Sequence, residues 1–125
     1  MEVTSHWGYH LLVDMSGCNA NITQVLVIRN FLLDLIHAID MTAVGDPIIK
    51  FLNPSDPTIG AGFSVMQLIE TSNITCHFVD HNSTGYIDIF SCKNFDPKVA
   101  FNVIENYFAP EAVNTQFILR HAPKI

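Results

Sequence analysis

The chain is short of charge, and of positive charge above all. Only 14% of its 125 residues are charged, with six Lys and Arg against twelve Asp and Glu, a formal net charge of −6 at pH 7. That balance excludes non-specific nucleic-acid binding, which needs a basic face to displace counterions, and docking on anionic lipid. No run of about eighteen apolar residues occurs, so no membrane-spanning helix is expected. The opening Met1-Glu2-Val3-Thr4-Ser5-His6 lacks the basic flank and apolar core of a signal peptide. Cysteine is scarce as well: Cys18, Cys76 and Cys92 are an odd number without metal-type spacing. A disulfide framework is not expected, and a reducing cytoplasm is the natural compartment. The histidines are scattered without HxH or HExxH spacing, so no metal site is expected either.

Apolar residues are plentiful, at 49%. The length fits one domain over residues 1–125, and the apolar excess points to burial between subunits, hence to an oligomer. Trp7 to Met15 alternates as a first strand ending at Ser16-Gly17. Asn19 or Asn21 then offers a helix cap, and Val25, Ile28, Phe31, Leu32, Leu35, Ile36 and Ile39 recur at helical spacing. Ala43 to Phe51 reads as a second strand, and Asp46-Pro47 within it marks an edge. After the proline-rich loop at 53–60, strands are predicted over 61–69, 74–79 and 86–91. Asp96-Pro97 is a strong helix start, with an acceptor at the cap and proline at the first helical position. That helix runs to Ala109-Pro110, and Val113 to Leu119 forms a last strand. The order β-α-β-β-β-β-α-β predicts an α+β fold: a two-layer α/β sandwich, mostly antiparallel, with two amphipathic helices.

Chemistry gathers at Glu70-Thr71-Ser72-Asn73-Ile74-Thr75-Cys76-His77 and at Cys92, which closes the run Ile87-Asp88-Ile89-Phe90-Ser91-Cys92. A hydroxyl, an imidazole and a thiol there offer a nucleophile, a base and an acid. On a strand Ser72 and His77 face opposite ways, so a twist, a bulge or a strand end is needed to join them. Taken alone, Cys92 reads as a small buried hydrophobe, His77 as a satisfied strand-end histidine and Glu70 as a surface charge.

Together these intervals resemble the small prokaryotic-type S-adenosylmethionine decarboxylases, pyruvoyl enzymes of spermidine synthesis. That family has a serine, a histidine five residues on and a cysteine fifteen after that, in a VDVFTC-like strand, as Ser72, His77 and Cys92 are spaced. A second serine eight residues before the first recurs in the family, and Ser64 stands there. His10-Leu11-Leu12-Val13-Asp14 with Gly17-Cys18, and the helix after Phe95-Asp96-Pro97, follow the family order.

The resemblance implies a proenzyme that cuts itself between Thr71 and Ser72, giving a beta chain of 1–71 and an alpha chain of 72–125. Ser72 becomes a covalent pyruvoyl cofactor, whose carbonyl forms a Schiff base with the amine of S-adenosylmethionine and withdraws electrons as CO₂ leaves. His77 and Ser64 assist processing, and Cys92 returns a proton to the substrate. Small members of the family pair as homodimers of processed protomers, with residues from both chains at each site.

The sequence departs from the family in two places. Glutamate normally precedes the cleavage serine, but here Thr71 does, with Glu70 one place earlier. A Trp-Pro-Glu run that holds the ribose reads Val79-Asp80-His81 here. Glu70 and Asp80 are the nearest carboxylates for substrate binding, with Met15 and Phe51 as walls for the adenine. These departures keep two other readings open: a same-fold decarboxylase of ornithine or arginine, and an uncleaved relative that binds a nucleoside or regulates a partner.

Overall fold

Alternation of apolar side chains decides where the helices go. A computed structural model describes residues 7–125. In chain order it has β1 (Gly8–Ser16), a 3₁₀ turn (Ala20–Thr23), α1 (Val25–Ala38), β2 (Ala43–Leu52), β3 (Gly62–Ile69), β4 (Ser72–Val79), β5 (Thr84–Ser91), α2 (Pro97–Phe108) and β6 (Ala112–Arg120). Leu11, Val13 and Met15 of β1, Val65 and Ile69 of β3, Ile74, Cys76 and Phe78 of β4, and Ile87 and Ile89 of β5 are all buried. Their period of two puts them on one face of the sheet, and both helices cover that face. Phe31, Phe78 and Phe108 join helices to sheet, with ring centroids 4.8 and 5.0 Å from Phe108. The result is the two-layer α+β sandwich that the sequence predicts.

The sheet runs in the order β2-β3-β4-β5-β1-β6, and every neighbouring pair is antiparallel. β2 is an edge strand with a register shift between Val44 and Ile48, where Pro47 cannot donate to a ladder. The opposite face carries no helix, and Ile48, Met66, Leu68 and Tyr86 lie exposed on it. Gly62 fixes how closely β3 meets β4: a Cβ there would stand 1.8 Å from the carbonyl oxygen of Phe78.

The helix starts divide. Asp96 caps α2 as expected, accepting from the amide of Lys98 at 2.8 Å. Asn19 instead caps the 3₁₀ turn, while α1 begins after Gln24 without a side-chain cap. The expected cap at Asn19 or Asn21 is corrected accordingly. Both asparagines donate to the carbonyl of Tyr107, which ties the turn to the end of α2. Asparagine favours caps and turns alike, so the residue type could not separate the two.

Candidate active site

β3 and β4 are joined by a two-residue turn, Glu70-Thr71, with Ile69 opposite Ser72. Thr71 is held from three directions. The Cys92 amide donates to the Thr71 carbonyl oxygen at 3.1 Å, continuing the β4–β5 ladder past Ser72 and Ser91. The Ser91 hydroxyl donates to Thr71 Oγ1 at 2.7 Å, and Thr71 Oγ1 donates to Met41 Sδ at 3.4 Å. Close by, the Glu70 amide donates to the Thr42 carbonyl, and Lys93 Nζ donates to the Asp40 carbonyl and carboxylate. Asn73 donates to the Ser72 hydroxyl at 3.2 Å. Ser72 is half-buried and Glu70 exposed.

His77 is elsewhere. It stands opposite Ser64 in the β3–β4 ladder, and Ser64 Oγ lies 2.8 Å from His77 Nδ1. The two residues that the resemblance names as assistants to processing are therefore in direct contact. The expected meeting of Ser72 with His77 is not found within one chain. They stand five strand positions apart, about 16 Å, and their side chains alternate to opposite faces. No bulge interrupts the β4 register between the two. The strand end thus brings Ser72 to Thr71 and Cys92, and leaves His77 with Ser64.

The remaining residues sort to the same two ends. Glu70 belongs with Ser72. Asp80, Met15 and Phe51 belong with His77: Asp80 follows the end of β4, Met15 pairs with Gly85, and Phe51 pairs with Phe63 beside Ser64. Asp80 has an enclosed Oδ1 with no hydrogen-bond partner among the described residues. Met15 is buried in the core and also lines a cavity of 350 Å³ with Asp14, Tyr86 and Asn114. Phe51 is 52% exposed, edge-on to Phe63 at 5.4 Å. Between the two ends, His10 bridges Asp88 at 3.0 Å and Arg120 at 3.1 Å on the helix-free face.

The three thiols differ sharply. Burial pushes the Cys76 thiol far up, and the Asp88 carboxylate adds to that shift. Burial raises Cys18 as well. Cys92 is only half-buried. Iodoacetamide at pH 8 is therefore expected to label Cys92 well before Cys18 or Cys76, read by peptide mapping of the native protein. Equal labelling of Cys76 would contradict its place in the core. Among the described residues no group of three His, Cys, Asp or Glu could hold a metal ion, and no helix is long and apolar enough to cross a membrane.

Ser91, Asn73, Met41 and Lys93 were not singled out by the sequence. Ser91 alone left a trace, as a hydroxyl residue on the face where Ile87 and Ile89 are apolar.

Known proteins share both the sequence and this arrangement of strands. The family model described as S-adenosylmethionine decarboxylase matches residues 9–121. The S-adenosylmethionine decarboxylase proenzyme of Clostridium botulinum strain Hall is 33% identical over 115 residues, covering 90% of this chain and 93% of that one. The proenzyme of strain Loch Maree is 34% identical over 93 residues, covering 73% and 74%. The crystal structure of the adenosylmethionine decarboxylase from Aquifex aeolicus superposes with a TM-score of 0.78 at 22% identity, covering 97% of this chain and 96% of that one. That last likeness bears on the fold.

Proposed function

The chain belongs to the S-adenosylmethionine decarboxylase family, and from that premise we propose that it is a proenzyme that cuts its own backbone before Ser72 and then decarboxylates S-adenosylmethionine for spermidine synthesis. The observation that carries this reading is the Cys92 amide on the Thr71 carbonyl oxygen, 3.1 Å away. A donor there stabilises the negative charge that collects on the oxygen when a hydroxyl adds to the carbonyl carbon. Ser72 supplies that hydroxyl from the next residue. Its Oγ bonds to the Thr71 carbon, the C–N bond breaks, and the hydroxyl proton ends on the freed Ser72 nitrogen, leaving an ester. A base then removes the Ser72 α-proton and the Cα=Cβ bond forms. The Cβ–O bond breaks, so Thr71 departs as a carboxylate. Water replaces the resulting enamine nitrogen, which leaves as ammonia, and residue 72 becomes a pyruvoyl group.

His77 is the base for the α-proton and Ser64 its hydrogen-bonded assistant, but their own Ser72 is out of reach. We therefore assign the work to a second copy of the chain. The exposed apolar residues of the helix-free face support pairing of two such faces in a homodimer. A two-fold axis across the strands lays the Ser72 end of one protomer over the His77 end of its partner. Each complete site then takes Thr71, Ser72 and Cys92 from one chain and Ser64, His77 and Asp80 from the other. The pyruvoyl group supplies a carbonyl that condenses with the substrate amine and withdraws electrons as CO₂ leaves. Cys92, half-buried beside the scissile bond, returns the proton, a thiol being able to act as a general acid. Asp80, whose enclosed oxygen has no partner, is the carboxylate for the ribose, with Met15 and Phe51 toward the base and Glu70 at the opposite rim. The free thiols suit a reducing compartment, and we place the enzyme in the cytoplasm.

Mass analysis of the purified protein tests the reading. Two species covering 1–71 and 72–125 are expected, the second blocked to Edman sequencing, with activity lost to borohydride in the presence of substrate. A single uncut chain after long incubation overturns it. Release of labelled CO₂ from S-adenosylmethionine, and not from ornithine or arginine, checks the substrate.

A further inference from the structure

We infer that Ser91 is a positioning residue for self-cleavage, acting through Thr71. This rests on the self-cleavage reading above. Ser91 shares its face of β5 with Ile87 and Ile89 and is 0% exposed, a position where an apolar side chain is the default. Burying a hydroxyl there is costly unless it is fully bonded. It is: the Lys93 amide donates to Ser91 Oγ at 2.9 Å, and Ser91 Oγ donates to Thr71 Oγ1 at 2.7 Å. Thr71 in turn ends the relay on Met41 Sδ, a weak acceptor 3.4 Å away. The Ser91 tie is thus the stronger hold on the Thr71 side chain.

That hold bears on the reacting carbon. Thr71 is bonded through its carbonyl to the Cys92 amide and through its side chain to Ser91, so two consecutive residues of β5 and its extension clamp it. With one bond the peptide plane between Thr71 and Ser72 can rotate about its tether; with two it is fixed. Attack by Ser72 Oγ needs the carbonyl carbon within reach and correctly inclined, and orientation of this kind sets rate. The Thr71 side chain is turned inward to a buried partner that a hydroxyl can satisfy.

Pulse-labelled precursor from cell-free translation reads the effect directly. Ser91→Ala is expected to slow scission about tenfold, the order expected for one lost hydrogen bond. Thr71→Val should slow it by a like factor, and the double variant no further than the slower single one. Ser91→Thr, which keeps the hydroxyl, should cut at close to the wild-type rate. Hydroxylamine separates the steps, because it cleaves an ester that has formed. It should speed scission of His77→Ala, where the ester waits for a base, and leave Ser91→Ala slow. Unfolding of Ser72→Ala with and without Ser91→Ala checks that the fold persists.

Wild-type scission with Ser91→Ala equally fast overturns this inference and spares the reading beneath it. Multiplying effects in the double variant, or Ser91→Thr as slow as Ser91→Ala, also overturns it. Wild-type protein that stays whole even with hydroxylamine removes self-cleavage itself, and the inference with it.

Discussion

Ser72→Ala is expected to abolish scission and leave one species of 14.0 kDa, however long the protein is incubated. Alanine keeps the strand and removes the hydroxyl assigned to add to the Thr71 carbonyl. The Cys92 amide still donates to that carbonyl, so the variant should fold like the precursor and hold the ladder between β4 and β5. Ser72→Cys should behave differently, since a thiol can still attack and form a thioester that hydroxylamine cleaves. Scission at the same bond in the alanine variant, read by mass, would take the nucleophile's role away from Ser72.

Two inactive variants should restore each other when mixed before they assemble. Ser72→Ala keeps Ser64 and His77 intact; His77→Ala keeps Thr71, Ser72 and Cys92 intact. If each site is shared, a mixed dimer has one complete site and one lacking both groups. Random pairing of equal amounts makes half of the dimers mixed, so about a quarter of all chains should be cut, every one carrying the His77→Ala substitution. Each variant alone should stay whole on the same timescale. Co-expression with two tags of different mass reads this on one gel. If co-expression gives no more cutting than the variants separately, the two ends do not meet across a dimer. Because the outcome moves from nothing to a fixed fraction, it is insensitive to modest loss of stability in either variant.

The physical reason for proposing a shared site was half legible in the sequence. Strand parity alone turns Ser72 and His77 to opposite faces, and the need for a bend or a strand end followed from it. What parity could not say is that β4 runs straight through that interval, so the two side chains stay apart within one chain. Ser64 and His77 are thirteen residues apart yet in contact; the resemblance singled out each of them, and the strand register shows that they meet. Asp96-Pro97 was legible unaided, because a cap and a proline act locally. So was the edge character of β2, because Pro47 has no amide to give.

The Ser91–Thr71 tie was not legible in that way. It joins residues twenty apart through a register that neither residue determines, and the one trace, a hydroxyl on an apolar strand face, does not name its partner. Met41 and Lys93 escaped notice for the same reason: each acts through a corner of the fold. Asn19 misled in a different way, being a genuine cap for a shorter element than the helix behind it.

The order of the strands has a consequence for the proposed cut before Ser72. Residues 1–71 contribute β1, β2 and β3, and residues 72–125 contribute β4, β5 and β6, yet in the sheet β1 is threaded between β5 and β6. The two pieces are interlaced like fingers. Pulling them apart means unzipping β1 on both sides as well as parting β3 from β4, so a molecule severed there would keep its shape with no covalent link between its halves.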